Sequence, residues 1–166
     1  MPHYLLAIDQ GTTNSRAIIF DTKGIPISQH EISLNQHFPK NGWVEQDADE
    51  MFSNTITCCK QAMQNANLST KSIAAIGITN QRETTIIWNK HTGKTIYPAI
   101  VWQDRRTSDI CDTLAKLPIA KSIQEKTGLL LDPYFSATKI MWILSHVADA
   151  REQAIKGNLL FGTVDT

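Results

Sequence analysis

Over the first 33 positions the apolar residues fall in short runs and alternations, and after that the period changes. "YLLAID", "SRAIIFD" and "PISQHEIS" are rich in strand formers and bounded by turn residues, which predicts three strands. The second and third are joined by "TKG", where Gly24 can take the positive φ of a tight turn. After the irregular "NQHFPKNGWVEQ", Asp47 followed by Glu50 predicts a helix start of the capping-box type. Phe52, Ile56, Cys59, Met63 and Ala66 then recur at helical spacing and predict one buried face. "SIAAIGITN" is almost wholly apolar, as expected of a strand covered on both sides.

Further on, "TTIIWN" and "YPAIVW" predict two strands around an "HTGK" turn. A helix from about Thr107 carries Ile110, Leu114 and Leu117 and stops at Pro118. A longer helix from about Ser136 places Ile140, Leu144 and Val147 on one face and ends at Gly157. "NLLFGTVDT" begins like a buried strand and has no polar tail, which predicts a domain cut from something longer. Three strands, a helix, a strand and then mixed elements predict an α/β fold of the ribonuclease H-like type, a mixed sheet flanked by helices.

Composition narrows the classes. The 166 residues suffice for one domain with a real core, and 42% hydrophobic content reads as globular. Sixteen basic against sixteen acidic residues remove the footprint of a general nucleic-acid binder, so no nucleic-acid partner is expected. No apolar run is long enough for a membrane span, and "MPHYLLAIDQG" lacks the layout of a signal peptide. Cys58, Cys59 and Cys111 are odd in number and without metal-ligand spacing, which predicts free thiols in a reducing, cytoplasmic compartment.

The chemistry begins at "AIDQGTTNSRAIIFD". A Gly-Thr-Thr turn between strands can aim backbone N–H groups and hydroxyls into one anion-binding concavity. Arg16 can add charge to the same oxygens, while Asp9 has the wrong sign for phosphate and the right one for magnesium. Acid, glycine and hydroxyls together suit a magnesium nucleotide; a plain hairpin with Asp9 capping its own turn remains the alternative. "NKHTGKT" ends like a phosphate loop, but Trp88 stands where the first glycine belongs, so Gly93 reads as a turn residue.

"ITNQRETT" leaves an apolar strand and presents Gln81, Arg82 and Glu83. A guanidinium only donates and a carboxylate only accepts, so the pair can hold neighbouring hydroxyls of a polyol; a solvated loop is the alternative. Trp102 in "IVWQDRRT" and Tyr134 in "LLLDPYFSATK" are either core aromatics or a wall against carbon–hydrogen faces.

Taken together, "DQGTTNSRA", "GWVEQD", "AAIGITNQRETT", "VWQDRRT", "TGLLLDPYFSATK" and "LLFGTVDT" resemble the N-terminal part of the glycerol kinases, FGGY carbohydrate kinases of the actin-like ATPase superfamily. "DQGTT" alone marks only the superfamily, whereas "NQRETT" with "WQDRRT" and "DPYFS" is narrower. The resemblance implies a first actin-like domain over residues 1–166, truncated before its end and without its second domain. It implies Asp9 as the magnesium residue and Thr12, Thr13, Asn14 and Arg16 near the phosphates of ATP. Thr12 would also lie near the transferred phosphoryl group. Arg82, Glu83, Trp102 and Tyr134 would then bind glycerol. The implied reaction is phosphoryl transfer from ATP to glycerol, giving sn-glycerol 3-phosphate. The family's catalytic base is an aspartate outside this segment, so no catalytic residue is assigned within it and the segment alone is expected to be inactive. A homo-oligomer is expected of the full-length protein. The rivals are another carbohydrate kinase, a ribonuclease H-like nuclease, against which Asn80 stands where an acid is needed, and a non-catalytic ATP-binding module.

Overall fold

In the computed structural model, which describes residues 4–166, the first strand β1 (Tyr4–Gln10) runs antiparallel to β2 (Asn14–Asp21), from Tyr4↔Asp21 to Gln10↔Ser15. β2 pairs in turn with antiparallel β3 (Pro26–Ser33). The turn between them closes as expected: Gly24 has φ +78°, and Asp21 Oδ1 accepts from the amides of Lys23 and Ile25 at 2.8 and 2.9 Å. β2 buries Ser15, Ala17 and Ile19, every second residue, and so presents one face to the core.

Over that face lies α1 (Ala48–Asn65), started by Asp47, whose Oδ1 accepts from Asp49 N at 2.8 Å and Glu50 N at 3.2 Å. The helix is turned relative to the expected stripe. Met51, Cys58 and Ala62 are buried, while Phe52 is 70% and Ile56 39% exposed. Close approach explains the rotation: Ser28 Oγ donates to Ala62 O at 2.5 Å, and only small side chains fit where helix backbone comes so near the sheet. Leu6, Ala17, Ile19, Cys58 and Ala62 form the centre of this core.

β5 (Ile73–Asn80) follows a short 3₁₀ turn and pairs parallel with β1, giving the order β3-β2-β1-β5. Three antiparallel strands followed by a parallel crossover strand are the sheet that the element order predicts. The expectation that β5 is covered on both sides is not met. It is the edge of the sheet among the described residues, and Ile76 and Ile78 are 59% and 58% exposed.

Residues 4–36, 47–81 and 164–166 make up this first compact unit; residues 37–46 and 82–163 make up a second. In the second, β4 (Glu45–Gln46) pairs with β7 (Ala99–Ile100), and β6 (Ile86–Asn89) with β8 (Leu159–Gly162), all antiparallel. The "HTGK" turn is present, with Gly93 at φ +70° and Asn89 N bound to Lys94 O. Of "YPAIVW" only Ala99–Ile100 is strand. β8 forms at the expected place, but Leu160 and Phe161 are exposed rather than buried.

The helices also differ from expectation. Pro118 ends α2 (Ser108–Ala115) and at once starts α3 (Ile119–Thr127), because a fixed φ and a missing N–H suit a first turn. The long final helix is two, α4 (Ser136–His146) and α5 (Ala150–Ile155), broken where Val147 is extended and Asp149 takes φ +59°. α4 buries Thr138, Lys139, Trp142 and Ile143 rather than the stripe through Ile140, Leu144 and Val147. Ile87, Ile100, Trp142 and Ile143 form the core here. Beside them Arg106, with a fully buried side chain, is held by Glu45 Oε1 and Asp104 Oδ2, each 2.8 Å from its Nη2. Its guanidinium carbon stands 3.8 Å from the Trp43 ring centroid and 4.7 Å from that of Trp142.

Candidate functional site

The first unit carries the glycine-threonine turn. Gly11 N donates to Asn14 O at 2.9 Å, closing the link between β1 and β2. A Cβ on Gly11 would lie 3.2 Å from Asn14 O and 3.3 Å from Asn14 Oδ1, so the turn is as tight as a glycine allows. The carbonyls of Thr12 and Thr13 are taken by the following segment: Gln36 Nε2 donates to the former at 3.2 Å and Leu34 N to the latter at 2.9 Å. Thr13 is exposed and Thr12 half-buried. Asn14 Nδ2 reaches Glu31 Oε2 at 3.4 Å.

Asp9, one residue before the end of β1, stands directly opposite Arg16, and Arg16 Nη2 lies 2.5 Å from Asp9 Oδ2. Arg16 Nε is buried without a hydrogen-bond partner. A buried donor with no acceptor costs stability until one arrives, and a phosphate oxygen is a matching acceptor. No group of three or more His, Cys, Asp or Glu stands ready to cage a metal among the described residues. Magnesium does not need one: a single carboxylate with waters and phosphate oxygens holds it, and Asp9 fits that donor set.

The second unit gathers Glu83, Trp102 and Tyr134. Glu83 follows exposed Arg82 and takes φ +65°, a left-handed conformation that costs a non-glycine residue about 1–2 kcal/mol. Its Oε2 accepts from the amide of Ser136 at 2.8 Å and from the Ser136 hydroxyl at 2.7 Å. Thr84, buried next in the chain, accepts from Trp102 N at 3.2 Å. The rings of Trp102 and Tyr134 meet edge to face, 5.9 Å between centroids and 71° between planes.

Tyr134 sits in a turn fixed from both ends. Asp132 Oδ1 accepts from Tyr134 N at 2.8 Å, and buried Lys139 donates to the carbonyls of Pro133 at 2.7 Å and Tyr134 at 2.6 Å. Burial lowers the Lys139 ammonium to about 8 from 10.5, against the opposing pull of Asp104, Glu83 and Asp132. Sequence reasoning missed both Ser136 and Lys139. Ser136 had a signal, since it opens a predicted helix. Lys139 had none, because a lysine in an apolar stripe normally reaches for solvent.

The profile of the FGGY family of carbohydrate kinases, N-terminal domain, matches residues 4–166. The chain is 55% identical over its whole length to a glycerol kinase of Marinomonas sp. (strain MWYL1), of which it covers 34%. It is 54% identical to glycerol kinase 1 of Clostridium tetani (strain Massachusetts / E88), covering all of this chain and 33% of that protein. Among solved structures, Plasmodium falciparum glycerol kinase with ADP superposes with a TM-score of 0.90 at 31% identity, covering 98% of this chain and 33% of the other. A "xyloylose kinase" from Brucella ovis shares the fold at 22% identity and a TM-score of 0.81, covering 96% of this chain and 32% of the other. The fold is therefore that of the actin-like, ribonuclease H-like sugar kinases. The chain spans about a third of the length of the curated relatives it matches. With the match running through both compact units, the chain belongs to the FGGY family of carbohydrate kinases, as an N-terminal domain.

Proposed function

We propose that this domain serves ATP-dependent phosphorylation of glycerol to sn-glycerol 3-phosphate. The observation that carries the reading is in the second unit, where Glu83 is locked to Ser136 in a unit that also pairs Trp102 with Tyr134. A fixed carboxylate accepts from hydroxyls, the adjacent Arg82 donates to them, and the paired rings cover carbon–hydrogen faces. The relatives' names support glycerol as the polyol. Tyr134 is the further hydroxyl-binding residue.

The first unit takes the nucleotide. Thr12, Thr13, Asn14 and Arg16 bind its phosphates, with Thr12 nearest the transferred group, and Arg16 Nε gains the acceptor it lacks. Asp9 holds magnesium, which supplies charge neutralisation on the phosphates when bound. These residues position and stabilise charge; the base that takes the hydroxyl proton is not assigned to residues 1–166. We place the protein in the cytoplasm and expect a homo-oligomer of the full-length kinase.

A glycerol titration followed by tryptophan fluorescence tests the reading, with a Trp102→Phe chain identifying the reporter among the four tryptophans. A saturable change is expected with glycerol, lost in Trp102→Phe and in Arg82→Ala and weaker with xylulose. Equal or tighter binding of xylulose overturns the assignment in favour of a pentulose kinase.

A further inference from the structure

We infer that Ser136 is a positioning residue for the acceptor: the first residue of α4 fixes Glu83 Oε2 and so sets the direction in which the carboxylate meets glycerol. The inference rests on the reading of Glu83 as an acceptor ligand and adds a residue to it. Three observations carry it.

Two donors of one residue converge on one oxygen, Ser136 N at 2.8 Å and Ser136 Oγ at 2.7 Å, across 53 positions of sequence. Both bonds are charge-assisted, the strong class, and together they fix the carboxylate's position and plane. The backbone of Glu83 is strained at φ +65°, and the same hydroxyl lies 3.4 Å from its carbonyl, so the turn and its side chain are anchored at one place. Finally, the residue that would ordinarily cap α4, Phe135, has no side-chain acceptor. Glu83 takes over as an acceptor for the helix start from a distant turn, where the helix dipole favours its negative charge.

Ser136 also follows Tyr134 by two residues, and Lys139, one turn into the same helix, grips the carbonyl of Tyr134 at 2.6 Å. The start of α4 thus holds an acceptor carboxylate and an aromatic wall in one piece. A helix cap alone would explain the bonds but would leave ligand binding indifferent to them, and that difference is measurable.

Three variants of the 166-residue chain separate the roles. Ser136→Thr keeps amide and hydroxyl, Ser136→Ala keeps the amide, and Ser136→Pro removes both while suiting the first helical position. Glycerol affinity is read by titration, and the integrity of α4 by amide exchange of residues 138–146. Wild type and Ser136→Thr are expected to bind alike. Ser136→Ala should bind about tenfold more weakly and Ser136→Pro about a hundredfold, with α4 still protected. Wild-type affinity in Ser136→Pro overturns the inference and leaves the proposed function standing. Absence of glycerol binding by the wild-type chain overturns both.

Discussion

Asp9 and Arg16 are partners in the β1–β2 ladder, and Arg16 Nη2 meets Asp9 Oδ2 at 2.5 Å. Both side chains are about a third exposed, 33% and 37%, so the pair is solvent-screened and adds no more than about 1 kcal/mol to stability. Asp9→Asn is accordingly expected to leave the melting temperature within a few degrees of wild type. Its effect should fall on the magnesium nucleotide, with affinity for Mg-ADP down about tenfold or more. Calorimetric titration beside a thermal melt checks this. A large loss of stability with unchanged nucleotide affinity would make the pair structural.

Two glycines should respond to the same substitution with opposite signs. Gly11→Ala sets a Cβ 3.2 Å from a backbone carbonyl that is itself bonded to Gly11 N, so the crowding cannot relax and about 1 kcal/mol is lost. Gly77→Ala on β5 meets nothing within 4 Å. It gains about 0.4–1 kcal/mol by restricting the unfolded chain. Urea unfolding of the two variants decides.

Lys139 gives the chain a pH signature. Its folded-state value, lowered to about 8 by burial, lies below the unfolded 10.5, so the folded chain binds fewer protons in between. The cost of burying the ammonium is fully present below pH 8 and fades as pH rises to 10.5; the neutral amine still has two N–H donors for its two carbonyls. Relative to Lys139→Met, wild type should therefore gain stability across that window, by roughly 3 kcal/mol at most. Burial raises the thiols of Cys58, Cys59 and Cys111, which lowers stability at high pH in both proteins and largely cancels in the difference. A difference that stays flat from pH 7 to 10.5 would contradict a buried charged lysine.

Arg106 tests the second core. Removing it leaves Asp104, fully buried, and Glu45 without their cation, and Trp43 and Trp142 without the plane between them. Arg106→Met should cost about 3–5 kcal/mol. Arg106→Lys should recover only part of that, since an ammonium cannot reproduce the planar fork. Denaturant midpoints of the three chains give the comparison.

What could be read from the sequence was local. Gly24, Asp47 and Gly93 each act through their own backbone or the next few residues, and each does what its turn or cap chemistry predicts. Faces were less legible. Phe52 and Ile56 sit on a helical stripe, yet the helix presents Cys58 and Ala62 because the sheet admits small residues there, a choice made by tertiary packing. β5 departs from expectation for a related reason: an apolar run records what a strand is suited to touch, and Ile76 and Ile78 are exposed among the described residues. For the candidate site, motifs located Glu83, Trp102 and Tyr134, but the partner that fixes Glu83 lies 53 positions away, and no spacing rule reaches that far.

The most direct test of the account joins residues 1–166 to the part of the Marinomonas relative that this chain does not cover and measures ADP release from ATP with each acceptor. Glycerol-dependent turnover is predicted, well above that with xylulose, falling about a hundredfold in kcat/KM with Arg82→Ala or Glu83→Gln. A folded, nucleotide-binding chimera that prefers xylulose, or that turns over glycerol equally well without Arg82 and Glu83, would contradict it.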